Sequence, residues 1–256
     1  MDQSEQAYGD GMAAFYEFQM ASGERERGDV AFYTDLAREA DGPVLEMACG
    51  TGRIYLELLR AGVDADGFDL SAGGLDLLRE KADDEGLDPN VWHDDMTDFS
   101  VEREYELVFC PFNAMEHLLS VEDQLETLRT VYDALAPGGR FVFDVAVPNF
   151  ELICENYGEW TTTPTEYKGE KHEYRTRTSI TDPVEQQVSV ESELYDAEGE
   201  LVFTDGHRSK MLPKREVELL ARVSPFDDWD VAGDFDGSSV TSDDSVLVWT
   251  FRKADS

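Results

Sequence analysis

The chain has little lysine, little cysteine and no long apolar run. Its 21 basic residues are fifteen arginines and only six lysines, against 57 acidic residues, for a formal net charge of −36. No stretch concentrates the basic residues into a stripe. A phosphate backbone needs such a stripe, so nucleic acid is not the expected substrate. The three cysteines, Cys49, Cys110 and Cys154, lie far apart with no C-x-x-C pair. That excludes a disulfide framework and points to reduced thiols. The four histidines, His93, His117, His172 and His207, lack the spacing of metal ligands, so no metal is expected. No apolar run approaches the roughly 18 residues of a membrane span. Met1 to Asp10 is acidic and polar and carries no signal-peptide pattern, so a cytoplasmic location is expected. Internal repeats and low-complexity segments are absent.

What is present is acid, spread along all 256 residues rather than gathered in a tail. Charge of this size repels itself and opposes compaction. In molar salt the Debye length falls to about 3 Å and the repulsion is screened. The composition therefore reads as adaptation to a salty cytoplasm, as in halophilic archaea. A binding surface for a basic partner is the alternative, and no segment is spared in the way that reading needs. At this length a chain hides about 70% or more of its unfolded surface, enough for one α/β domain with an addition or for two small domains.

From Gly42 to Val147 apolar runs and amphipathic stretches alternate. Strands are expected at Val44–Met47, Val63–Phe68, Val91–His93, Leu107–Phe109 and Arg140–Val145. Helices are expected near Ile54–Ala61, Ala72–Glu85 and Val121–Leu135, with a turn at Pro137-Gly138-Gly139. That order implies βαβ units and a parallel sheet, with its ligand crevice at the carboxyl ends of the strands. After Pro148 the rhythm changes. Lys171–Ile180, Val184–Tyr195 and Leu201–Leu212 read as an antiparallel meander. Lys214–Val223 reads as an amphipathic helix, and Trp229–Phe235 and Val246–Arg252 as two last strands. The expected fold is α/β, a Rossmann-like seven-stranded sheet with an inserted antiparallel β meander. Three parts follow: residues 1–40 as an aromatic-rich helical segment, 41–150 with 213–256 as the ligand-binding domain, and 151–212 as the insertion. The first part reads as a helix packed on the sheet and as a helical lid in which Tyr16 reaches the cleft, and the two roles are compatible.

The segment Val44-Leu45-Glu46-Met47-Ala48-Cys49-Gly50-Thr51-Gly52-Arg53-Ile54 carries the most chemistry. It reads as a buried strand, a glycine turn and a helix. Gly50 and Gly52 lack a Cβ and let backbone approach a nucleotide-like ligand. A dinucleotide fingerprint wants a third glycine, and Tyr55 stands there. Glu46, inside the strand, would repel a pyrophosphate and suit a cationic ligand. Seventeen residues past Gly52, Asp69 ends the second strand, placed to accept hydrogen bonds from ribose hydroxyls. A purely structural turn with a solvated aspartate is the bland alternative.

Glu46, Gly50, Gly52 and Asp69 together resemble the first two motifs of the class I S-adenosylmethionine-dependent methyltransferases. The resemblance implies S-adenosyl-L-methionine as cofactor, held by these four residues and by Leu70 beside Asp69. It assigns the adenine contact to Asp95 and Met96, after strand three, and backbone contacts near the methionine moiety to Cys110. After strand four the chain reads Cys110-Pro111-Phe112-Asn113-Ala114-Met115-Glu116-His117-Leu118. Methyltransferases of nucleobase amines often carry Asn or Asp before Pro-Pro-Tyr/Phe here, and Cys110 departs from that. The stretch is similar to the N-S-F-x-H-L segment of glycine and sugar-amine N-methyltransferases, with Asn113 and His117 matching. Leu135-Ala136-Pro137-Gly138-Gly139-Arg140-Phe141 and Gly233-Asp234-Phe235-Asp236-Gly237-Ser238 extend the resemblance over nearly the whole chain.

The resemblance places Asn113, His117 and Tyr16 at the transfer site, and offers Tyr167, Tyr174, Arg175 and Arg177 as further acceptor-pocket candidates. Histidine is the one side chain with an unperturbed pKa near neutrality, so His117 is the candidate base. Positioning and structural roles for it stay open, because methyl transfer to an amine mainly needs alignment. The expected activity is methyl transfer to a small-molecule acceptor, at an amine nitrogen, by a soluble enzyme for which a homodimer is the candidate assembly. An RNA or protein methyltransferase and a non-catalytic cofactor-binding regulator are the rivals. A nicotinamide dehydrogenase is disfavoured by Glu46 and Tyr55.

Overall fold

The computed structural model describes residues 28–255. A seven-stranded sheet forms its centre. The strands are β1 (Val44–Met47), β2 (Ala65–Asp69), β3 (Asn90–His93), β4 (Tyr105–Cys110), β5 (Leu135–Ala146), β10 (Asp228–Gly233) and β11 (Val246–Arg252). Their order is β10-β11-β5-β4-β1-β2-β3. The pairs among β1 to β5 are parallel, and β11 is antiparallel to both β5 and β10. A separate antiparallel sheet runs β6 (Thr161–Tyr167), β7 (Glu170–Asp182), β8 (Gln187–Tyr195), β9 (Leu201–Lys210). The expected seven-stranded architecture with an antiparallel meander after the fifth strand is present.

Side chains on alternate faces of the central strands enter two apolar layers. Leu45, Met47, Val108, Phe141, Phe143 and Phe251 join α4 (Val121–Ala134) and α6 (Lys214–Val223) on one side, through Leu128, Val131, Val217 and Leu220. Val44, Leu107, Phe109, Val142 and Val248 join α1 (Asp29–Arg38), α2 (Tyr55–Arg60) and α3 (Ala72–Glu85) on the other, through Tyr33, Ala37, Leu58, Leu75 and Leu78. Helix α1 therefore packs on the sheet, with Tyr33 stacked on Phe109 at 5.0 Å. Tyr16 and the rest of the amino-terminal aromatic stretch lie outside the described residues.

Several boundaries differ from expectation for local reasons. Strand β2 starts at Ala65, not Val63, because Gly62 and Val63 close α2. The N–H groups of Gly62 and Val63 donate to the carbonyls of Leu59 and Leu58, a Schellman ending with Gly62 left-handed. The Pro137-Gly138-Gly139 turn is absorbed into β5 as an irregularity, since β5 steps from Leu135 to Arg140 while β4 steps from Tyr105 to Leu107. Strand β6, TTTPTEY, was hidden by Pro164. It sits at the edge of its sheet, where a missing N–H is tolerated. Helix α5 (Phe150–Asn156) was missed because it buries no side chain and so shows no stripe.

Candidate active site

The glycine turn joins β1 to α2 at the carboxyl end of the sheet. Ala48, Gly50 and Gly52 all have positive φ, at 54°, 53° and 85°. The two glycines differ in what surrounds them. A Cβ on Gly52 would stand 2.7 Å from Leu78 Cγ, so this glycine is also required by packing against α3. A Cβ on Gly50 would meet nothing nearer than Asp69 Oδ2 at 3.9 Å. The space over Gly50 is open on the side where a ligand would lie.

Asp69, at the end of β2, spans the turn. Its Oδ2 accepts from Gly50 N–H at 2.7 Å and its Oδ1 from Ser71 N–H at 2.7 Å. Each oxygen keeps a second lone pair. Burial raises the Asp69 pKa, and the two backbone donors oppose that. Leu70 beside it is 46% exposed, an apolar side chain left at the rim. Tyr55 fills the place of a third glycine. It is fully buried, its hydroxyl donates to the Ala65 carbonyl at 2.9 Å, and Asn90 N–H donates to it at 3.0 Å. It ties α2 to β2 and β3.

Glu46 is 2% exposed and, among the described residues, its Oε2 has no hydrogen-bond partner. Burial pushes its pKa well above the ordinary 4.5, with Arg53 pulling down and Asp69 and Asp29 pushing up. A buried carboxylate without a donor is costly. It lines a cleft with Ala48, Gly50, Thr51, Arg53, Pro111 and Phe112. Arg53 is held by Asp29, itself 1% exposed, through bonds of 3.0 and 2.6 Å, and its guanidinium lies 5.0 Å from the Phe112 ring.

The segment after β4 is strained. Phe112 and Asn113 are both left-handed, at φ 59° and 58°, a conformation that costs non-glycine residues about 1 kcal/mol or more each. Asp144 on β5 holds them. It is fully buried and accepts from Phe112 N–H at 2.8 Å, Asn113 N–H at 3.1 Å and the Tyr33 hydroxyl at 2.8 Å. Glu116 fixes the far end by accepting from Ala146 N–H at 2.8 Å. Asn113 precedes a 3₁₀ turn over Ala114–His117. Cys110, just upstream, is wholly buried and burial raises its thiol pKa, so backbone is what it can offer a ligand.

His117 reaches solvent, yet the protein packed around its ring lowers its pKa. A hydrogen bond to the backbone of Arg208 on β9 opposes that shift. The direction makes this bond one in which the ring N–H donates to the carbonyl, which leaves the second ring nitrogen as an acceptor in the neutral form. The ring also lies 5.3 Å from that of His207. The meander thus closes against the loop after β4.

After β3, the Asp94 N–H donates to the Asp69 carbonyl at 3.2 Å, tying two neighbouring loops. Asp95 is exposed, and one of its oxygens accepts from the Thr97 N–H and hydroxyl at 2.9 and 2.8 Å. Met96 packs against the core. Glu46, Gly50, Gly52, Asp69, Leu70, Cys110 and Asn113 come together around the carboxyl ends of β1, β2 and β4. Asp95 and Met96 stand at the neighbouring end of β3. His117 lies on the meander side.

Two acceptor-pocket candidates do not face this site. Arg177 pairs with Glu191 at 2.8 Å, and Arg175 with Glu173 at 3.7 Å while lying over Tyr195. Both balance charge on a sheet face. Tyr174, one register step away, is on the opposite face. Sequence reasoning missed Asp144, Tyr33, and the Arg53–Asp29 pair. Among the described residues no group of three metal-ligating side chains occurs, and no helix is long and apolar enough to cross a membrane.

Residues 44–139 match the family described as "Methyltransferase domain". The chain is 33% identical over 94 residues to the dTDP-3-amino-3,6-dideoxy-alpha-D-glucopyranose N,N-dimethyltransferase of Streptomyces fradiae, covering 37% of this chain and 35% of that one. It is 25% identical over 207 residues to the cypemycin N-terminal methyltransferase of a Streptomyces species, covering 80% and 81%. It spans less than half the length of four curated relatives, the sugar enzyme included. The fold matches the crystal structure of an S-adenosylmethionine-dependent methyltransferase from Clostridium acetobutylicum with a TM-score of 0.76 and 17% identity, over 94% of this chain and 97% of that one. The architecture is the methyltransferase fold.

Proposed function

We propose that this chain is an S-adenosylmethionine-dependent methyltransferase that acts on a small-molecule acceptor at an amine nitrogen. The matched domain and the methyltransferase relatives support the enzyme class and the cofactor. The names of two relatives, one for an amino sugar and one for the N-terminus of cypemycin, support nitrogen as the target.

The observation that carries this reading is the unpartnered Oε2 of buried Glu46 beside the open face of Gly50. A phosphate there would face a carboxylate and gain nothing. A ligand with an ammonium and a sulfonium, and no phosphate, would supply the missing positive charge. Bound there, the cofactor supplies an electrophilic methyl group on sulfur. The remaining work belongs to the chain. Glu46 would hold the cationic end. Asp69 has lone pairs left for ribose hydroxyls, and Asp95 has a second oxygen for the adenine amine. Leu70 and Met96 would flank the base, and Cys110 would contribute backbone. Asn113, in its enforced left-handed conformation, and His117 would line the transfer side, with Tyr16 as a further wall. A neutral His117, with one nitrogen committed to Arg208, has the other available for the amine's proton. Rate would come from alignment and exclusion of water. The overall charge supports a salty cytoplasm as the setting.

Calorimetry with S-adenosylmethionine, S-adenosylhomocysteine and NAD tests this. Micromolar binding of the two adenosyl ligands, lost in Asp69→Ala, with no NAD binding, is expected. A folded protein that binds neither adenosyl ligand overturns the reading.

A further inference from the structure

We infer that Asp205 on the meander is the anchor for a positively charged group of the acceptor, which makes the acceptor class a cationic amine. This rests on the methyltransferase reading and adds the residue that selects the second substrate. The four-stranded sheet has two faces. On β8 and β9 the register pairs Leu194 with Phe203, Ser192 with Asp205, Val190 with His207 and Val188 with Ser209. Leu194, Ser192, Val188 and Ser209 are buried, so this is the inner face. His207 confirms the direction, since its ring meets His117 of the loop after β4. Successive side chains alternate along a strand. Asp205, two residues before His207, therefore points the same way, toward the side of the molecule where Asn113 and His117 lie.

Asp205 differs from the other acids in the meander, of which Glu166, Glu170, Glu185, Glu198 and Glu200 are exposed to solvent and the rest are partnered. Glu191 is paired with Arg177, Glu173 with Arg175, and Glu193 with the Tyr195 hydroxyl. Asp182 and Asp196 accept from backbone N–H groups of their own turns. Asp205 is half-buried and, among the described residues, has no cationic partner. The Gly206 backbone N–H beside it is the one group that favours its charged form, and desolvation raises its pKa. Directly across from it, the Ser192 hydroxyl is 3.0 Å from the Tyr174 hydroxyl. A carboxylate, two hydroxyls and an imidazole thus line one face. A partly desolvated carboxylate is stabilised most by a cation at hydrogen-bond distance. The ligand supplies that cation where the protein does not.

The test uses two probes of nearly equal shape, cyclohexylammonium and cyclohexanol, added to the full chain saturated with S-adenosylhomocysteine. NMR shift titration reads both affinity and place. The ammonium is expected to bind at least tenfold more tightly than the alcohol, and to move the side-chain signals of His207 and His117. Asp205→Asn should abolish the preference while leaving S-adenosylhomocysteine affinity within about twofold. Asp205→Ser, checked for its melting temperature, repeats the measurement should Asn distort the strand. Equal binding of the two probes, shifts located elsewhere, or a preference that survives both substitutions overturns the assignment. Failure of S-adenosylhomocysteine to bind the unaltered chain is a different result and strikes the methyltransferase reading instead.

Discussion

Two buried carboxylates sit one register step apart on neighbouring strands of the central sheet, Asp66 tied to residues at the amino ends and Glu46 beside the turn at the carboxyl ends, and are treated in opposite ways. At the amino ends of the strands, Asp66 accepts from Asn90 at 2.7 Å, from Arg103 at 2.8 Å and from the Tyr105 hydroxyl at 2.6 Å. At the carboxyl ends, Glu46 has an oxygen with no partner, and burial pushes its pKa up. Asp66 lies on the strand beside Glu46, and Gly67, the residue after it, is Glu46's register partner. Of the six non-glycine described residues with positive φ, Ala48, Phe112 and Asn113 are also at the Glu46 end. One end is a satisfied foundation. The other holds strain and an unmet charge, as expected where a ligand completes the structure.

The largest effect should come from breaking the satisfied end. Asp66→Ala strands the Asn90 amide, the Tyr105 hydroxyl and part of Arg103. We expect a loss of about 3 kcal/mol, given the cost of leaving buried donors unmade and allowing for the exposure of Arg103. Urea unfolding would read it, and the affinity of the surviving folded protein for S-adenosylhomocysteine should stay the same. A large loss of affinity with normal stability would erase the distinction between the two ends.

Gly52→Ala comes next. The new Cβ meets Leu78 at 2.7 Å and the residue is forced to φ 85°, for a loss of about 2 kcal/mol. Here stability and ligand affinity should fall together, because the same glycine serves packing and turn. Gly50→Ala should lower affinity more than stability, since its Cβ would point into open space. A Gly50→Ala protein with full affinity would remove the ligand from that side of the turn.

Glu46→Gln sharpens the comparison most directly. The folded-state pKa of Glu46 lies above its unfolded value, so the folded state binds that proton more tightly. The stability it contributes is present below about pH 4.5 and is lost as pH rises through the folded value. Gln, always neutral, escapes that loss. Against the unaltered chain the variant should therefore gain, by about 1 kcal/mol, as pH climbs above 4.5, while binding S-adenosylmethionine at least tenfold more weakly.

What was legible in the sequence follows the range of the physics involved. Helices Ala72–Glu85 and Lys214–Val223 and strands Val44–Met47 and Val246–Arg252 were readable to the residue, because periodicity, caps and flanking turns are local. Gly50, Gly52 and Asp69 were readable for a similar reason, a turn and a strand end within twenty residues. Asp144 was invisible. Its partner Tyr33 is 111 residues away, and it stands in a strand where an aspartate looks like an interruption. The inward turn of Asp205 was equally hidden, since only the register of β8 and β9 assigns it a face. Strand β6 was lost because its proline argues against a strand until the edge position is known.

The smallest effect concerns His117, and it divides the two ends by proton rather than by mutation cost. Its pKa is lowered in the folded protein by the packing around its ring. The unfolded chain thus takes the proton more readily, and stability from this residue is full above its ordinary 6.5 and falls as pH drops below it. His117→Gln should remove that slope, so the variant gains slightly on the unaltered chain at pH 5 and matches it at pH 8. Thermal melts across that range would show it. The ring N–H that meets the Arg208 carbonyl has a counterpart in the glutamine amide, so the meander should stay docked. S-adenosylhomocysteine affinity should hardly change, because the proposed function puts His117 on the acceptor side and the cofactor on Glu46, Gly50 and Asp69. A tenfold loss of cofactor affinity in His117→Gln would move this histidine across the cleft and make the unmet charge of Glu46 only one part of a wider cofactor wall.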